Sequence, residues 1–174
     1  MVAVVVILAA TVSLFSLGFT EELTEPAPNV AQTNGDFIPQ DGNDGGIVKI
    51  RHVGGDGVKV SNIEIQVRAE CQNGTKQGRI VNLPAGSGNA IRASDGQIEG
   101  DNIFDERSLN TIDNSVADVD NGGALLQGGE YTAGDTIIFR IPDTDCTLEE
   151  GSKVSVKVVH TPSQTIIIDK ELVA

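Results

Sequence analysis

Hydrophobic positions follow two different regimes along this chain. The first nineteen residues, MVAVVVILAATVSLFSLGF, are apolar on every side and carry no charged side chain. A helix with that pattern cannot lie on the surface of a domain, where only one stripe is apolar. Nineteen helical residues span about 28 Å, close to the hydrocarbon core of a bilayer. The stretch therefore predicts a helix surrounded by lipid or by copies of itself. It ends by about Glu25, because Pro26 and Pro28 cannot continue it.

Beyond residue 46 the period changes to two. Residues 47–53 (IVKIRHV) alternate, and GGDG at 54–57 reads as a turn. In VKVSNIEIQVRAE, at 58–70, Ile63, Ile65 and Val67 share one face while Glu64, Gln66 and Arg68 share the other, the pattern of a half-buried strand. Further strands are expected in GRIVNL at 78–83, in AGDTIIFRIP at 133–142 up to Pro142, and in GSKVSVKVVH at 151–160. The last of these forms a hairpin with TIIIDKELV across the TPSQ turn. Strands with regular turn punctuation and no helical period predict an antiparallel β-sandwich. The expected class is thus α+β: a long hydrophobic N-terminal α-helix (1–25), a connector (26–46) in which Val30, Phe37 and Ile38 seed a first strand, and an all-β head (47–174). Within the head, 84–130 is rich in Gly, Asn, Asp and Ser, and is expected to form short irregular strands or hairpins.

Charge narrows the range of partners. The 174 residues carry 25 Asp and Glu against 12 Lys and Arg, a net charge of −13. Such a surface repels nucleic acid and anionic headgroups, so no nucleic-acid partner is expected. A Lys-poor, Asp-rich surface also fits life in high salt. Five Phe, one Tyr and no Trp leave few stacking platforms for sugars or bases.

Candidate chemistry changes the picture little. His52 and His160 each sit in a strand pattern and read as structural. No nucleophile elbow or zinc-protease helix occurs, and GSGNAIR at 86–92 lacks the Lys-Ser/Thr of a phosphate loop. DGNDGG at 41–46 and DVDNGG at 118–123 resemble the start of a calcium loop. Their twelfth positions are His52 and Gly129, so the bidentate Glu is missing. Neither an enzyme, a cofactor nor a metal is expected. Cys71 and Cys146 are far from any metal-ligand spacing. An even count outside the cell reads as one disulfide, the alternative being two buried free thiols. Asn73-Gly74-Thr75 is the single N-x-S/T sequon, making Asn73 the candidate glycosylation site.

The apolar run resembles the middle and end of the N-terminal helix of haloarchaeal type IV pilins. AGDTIIFRI followed by the KVSVKVVHTPSQTIII hairpin is similar to the heads of that family. The family's helix opens with a Ser-Pro-Val-Ile-Gly-like stretch after a prepilin-peptidase site, and neither is present. No basic residue precedes Lys49, unlike a signal peptide or a flanked anchor, so the sequence is expected to begin inside a longer helix. The resemblance implies an immunoglobulin-like sandwich head on a helix that forms the core of an extracellular archaeal pilus used in surface adhesion. The implied partners are copies of itself in a helical homopolymer, the membrane before assembly, and the pilus assembly machinery. Within the helix, Ala3, Ala9, Ala10, Ser13 and Ser16 permit close approach, and Val2, Val5, Val6, Val12 and Leu17 supply apolar area. A repeated heterologous contact of this kind grows an open filament. The alternatives are an archaellin-type motility subunit and a monomeric, membrane-anchored binding module.

Overall fold

The computed structural model describes residues 26–40, 45–84, 90–107 and 129–174. Ten strands run through them: β1 (Gln32–Pro39), β2 (Gly46–Gly54), β3 (Val58–Lys59), β4 (Ile63–Cys71), β5 (Gly74–Ile80), β6 (Ile98–Gly100), β7 (Glu130–Tyr131), β8 (Thr136–Ile141), β9 (Lys153–His160) and β10 (Thr165–Val173). The α+β expectation is corrected to a mostly β-sheet class. The only helical segments among the described residues are two three-residue 3-10 turns, Val60–Asn62 and Ala93–Asp95. The stretch 1–25, on which a long helix was expected, lies outside the described residues.

All pairings are antiparallel. One sheet has the order β1-β2-β8, the other β10-β9-β4-β5-β6, and β3 pairs with β7 as a small ribbon. The two larger sheets share one core. Val48 and Ile50 from β2 and Ile137, Phe139 and Ile141 from β8 meet Ile65, Val67 and Ala69 from β4 and Val154, Val156 and Val158 from β9. Each of the Val, Ile and Phe side chains, once buried, contributes on the order of 1.5–3 kcal/mol. Phe104 meets Phe139 edge-on, with ring centres 5.7 Å apart.

Local departures from the alternating pattern have physical causes. The run 58–70 is not one strand: the 3-10 turn at Val60–Asn62 carries the chain out of the β3 ribbon and into β4. β1 lies within the span expected as connector. It is an edge strand whose partly buried positions are Thr33, Gly35 and Phe37. Its glycine is where the sheets approach, since a methyl group on Gly35 would sit 2.8 Å from Leu172 Cδ2 of β10. In β8, Ile137 through Ile141 are all buried, so both faces of that strand are covered. Segment 101–107 accounts for part of the cover: the Asp105 N–H donates to the Arg140 carbonyl at 3.0 Å.

The head has two distinct poles. At the near pole, Asn29 N–H donates to Asp56 Oδ2 at 2.9 Å and Asp56 N–H donates to the Asn29 carbonyl at 3.0 Å, so the incoming chain is clamped beside the end of β2. From Gln32, opposite Gly54, β1 runs to Pro39, opposite Gly46, which itself pairs with Ile141 of β8. Pro39, Gly45, Asp143 and the C-terminal Ala174 line one cavity, which marks the far pole.

Candidate functional site

Cys71 ends β4 and Cys146 follows β8 by five residues, so the far pole brings them together. They form a disulfide with Cα atoms 5.1 Å apart, joining the two sheets. Backbone pairing continues past it, with Gln72 N–H donating to the Thr147 carbonyl at 2.9 Å. Asn73 lies in the two-residue turn of the β4–β5 hairpin, exposed, directly beyond Cys71. The sequon is therefore at the pole opposite the point where the chain joins the head.

Other sequence candidates fall elsewhere. The filament-core positions between Val2 and Leu17 lie outside the described residues, as do 118–123 and the larger part of 41–46 and 86–92. Among the described residues, no group of three or more His, Cys, Asp or Glu could hold a metal ion. No helix among them is long and apolar enough to cross a membrane.

Both histidines are buried in strands. His160 Nδ1 is 2.7 Å from Ser163 Oγ, which ties the end of β9 to the following turn. The His52 ring faces Tyr131 at 5.0 Å, and neither of its nitrogens has a hydrogen-bond partner. Tyr131 donates its hydroxyl to the Ile50 carbonyl at 2.9 Å, anchoring the β3–β7 ribbon to the first sheet. Burial pushes the phenol's pKa up, and the charge of Asp135 adds to the rise.

Two features escaped the sequence reading. Arg140, in the middle of an apolar strand, is 1% exposed and pairs with Asp105, whose carboxylate also receives Arg107 Nη2 at 2.8 Å. The strand pattern gave no signal for this, because the partner is 35 residues away.

The second is the outer face of the five-stranded sheet. Register places Asp169, Lys157, Gln66, Arg79 and Glu99 side by side across all five strands. Arg79 pairs with Glu64 at 2.5 Å and Glu99 at 3.3 Å, Lys157 with Asp169 at 3.5 Å, and Lys153 with Glu171 at 2.8 Å. Glu171, mainly through its hydrogen bond, holds the Lys153 ammonium above its ordinary pKa. Toward the far pole this face forms a concavity of about 680 Å3 lined by Arg68, Gln77, Arg79, Lys153 and Lys157 among others. The polar phase of β4 was visible in sequence, but which charges meet depends on strand register.

No family model matches the chain, and no curated protein matches it in sequence.

Proposed function

We propose that the chain is a pilin: a structural subunit of an extracellular, type IV-like archaeal filament, joined to its neighbours through the apolar stretch 1–19 and acting in surface adhesion. The observation that supports this best is a polarity. The described chain joins the head at one pole, where Asn29 is held to Asp56, and the disulfide and the sequon lie at the other. A head built this way can be attached at its near pole and present its far pole to solvent. The disulfide fits an exported protein, since thiols stay reduced in most cytosols. Before assembly the apolar stretch is accommodated by the membrane, and afterwards by neighbouring copies, in a repeated heterologous contact that does not close.

The test is to shear cells, collect filaments and identify their subunits by mass spectrometry. This chain is expected among them, and its recovery only from membranes would overturn the proposal. Ala10→Asp places a charge in the apolar contact and is expected to abolish filaments while the head stays folded and oxidised. Normal filament yield from that variant would refute the role of the apolar stretch.

A further inference from the structure

We infer that Asn73 is a site of spontaneous covalent modification: while it carries no glycan, its side chain closes onto the backbone nitrogen of Gly74 and converts to aspartate and isoaspartate. The inference does not depend on the pilin reading. It sets a time limit on the single sequon of the chain.

The chemistry needs an asparagine, a following residue with no side chain to shield its nitrogen, and a backbone free to bring the two together. Three Asn-Gly pairs occur, at 34–35, 73–74 and 121–122, and the last lies outside the described residues. At 73–74 the turn itself demands the glycine, since Gly74 has a φ of 111°, which a side chain disfavours. A Cβ built on Gly74 would meet nothing within 4 Å, so that flank of the nitrogen is open. Both residues are exposed, and the Asn73 side chain makes no hydrogen bond with a described residue. Gly74 sits opposite Cys71 in the last rung of the β4–β5 hairpin. End rungs open at little cost.

Asn34-Gly35 is the contrast within the same molecule. It lies inside β1, where Asn34 faces Arg51 and Gly35 faces Ile50, with paired residues on both sides. Gly35 is also crowded, because a Cβ there would lie 2.8 Å from Leu172 Cδ2 and 3.2 Å from Ile50 Cδ1. Closing the ring at this position would turn the asparagine out of its extended conformation and part β1 from β2.

At the exposed turn the Gly74 nitrogen gives up its proton to solvent and attacks Cγ of Asn73. The new N–C bond closes a five-membered succinimide, and the side-chain nitrogen leaves as ammonia. Water then opens the ring at either carbonyl, one giving aspartate and the other isoaspartate; nothing is oxidised or reduced. Each event adds a negative charge at the far pole. Isoaspartate also lengthens by one carbon a two-residue turn that adjoins Cys71 and the Gln72–Thr147 hydrogen bond. Neither product keeps an amide nitrogen for a sugar, so the sequon is lost. A glycan attached first occupies that nitrogen and blocks its departure as ammonia.

The test uses full-length, oxidised protein in detergent micelles, made in cells that do not glycosylate. Samples held in warm, mildly alkaline buffer are digested, and peptide mass spectrometry scores amide loss at each asparagine. Isoaspartyl methyltransferase labelling scores the rearranged product. Conversion at Asn73 is expected to be at least about tenfold faster than at Asn34, because the strand must open first. In urea the two rates should converge. Both products should form at Asn73, and Asn73→Gln should remove that signal while Asn34→Gln leaves it. An Asn73 that stays intact, equal rates at the two positions in folded protein, or aspartate without isoaspartate each overturns the inference. Protein carrying a glycan on Asn73 should keep the residue intact in the same buffer, and conversion there would overturn the protective role of the sugar.

Discussion

Replacing both bridge cysteines with alanine isolates how much of the head's stability comes from tying its two sheets together. Cys71 and Cys146 are 75 positions apart, so the bond removes a long loop from the freedom of the unfolded chain. In the chain-entropy model, closing a loop of that length is worth about 4 kcal/mol at 25 °C. Both cysteines are buried, and losing the sulfur atoms from the core adds roughly another 1 kcal/mol. For a domain of this size each kcal/mol moves the midpoint by about 2–4 °C, so the double variant should melt about 10–20 °C lower. The assay is urea and thermal unfolding of full-length protein in mild detergent, followed by circular dichroism. Because the freed chain expands, the urea m-value should also rise. Wild type unfolded with reductant should approach the variant. A loss under about 1 kcal/mol with an unchanged m-value would refute the reasoning, since it would mean that the bridge scarcely restricts the unfolded ensemble.

Other consequences can be checked on the same material. Tyr131→Phe removes the hydrogen bond to the Ile50 carbonyl and should cost about 1 kcal/mol near neutral pH. The folded-state pKa of Tyr131 is raised, so its contribution is fully present below the unfolded value near 10 and is lost as pH climbs from there toward the folded pKa. The stability gap between wild type and Tyr131→Phe should accordingly narrow above pH 10, and a widening gap would contradict the sign. Asp105→Ala strips a buried carboxylate from Arg140 and should cost about 3 kcal/mol in urea unfolding, whereas Arg107→Ala, on the exposed side of the same carboxylate, should cost less than about 1. A methyl group on Gly46 would fall 1.9 Å from Phe37 Cζ, so Gly46→Ala should destabilise by about 1–3 kcal/mol, with partial relief from Phe37→Leu.

What the sequence disclosed depended on whether a strand is buried on one face. β4 and much of β2 and β9 bury alternate positions, and alternation marked those three, whereas β10 was read only as the return strand of a hairpin with β9. β8 is covered on both faces and reads as a continuous apolar run, so its strand character was legible but the burial of Arg140 within it was not. β5 begins four residues earlier than GRIVNL suggests, because its inward positions there are Lys76 and Gly78 at the margin of the core. β1, an edge strand, needs few apolar contacts and left only Phe37 and Ile38 as a hint. Two cysteines permit one pairing, so the bridge could be posed from sequence, and only the fold brings its ends together. The row of charges on the outer sheet had no counterpart in sequence. It arises from five segments whose alignment is set by turns and bulges, such as the shift between Ile166 and Ile168.

The bridge also governs what a protease can accomplish. Every peptide bond between Cys71 and Cys146 lies inside a covalent ring, so one cut there opens the ring without releasing a fragment. The piece bearing β1 to β4 stays attached to the piece bearing β8 to β10, and these strands hydrogen-bond to one another in both sheets. A nicked molecule therefore keeps its full mass on a non-reducing gel and separates only when the bond is reduced. For a protein proposed to work outside the cell, where no replacement can be synthesised in place, damage across that whole span is tolerated rather than shed.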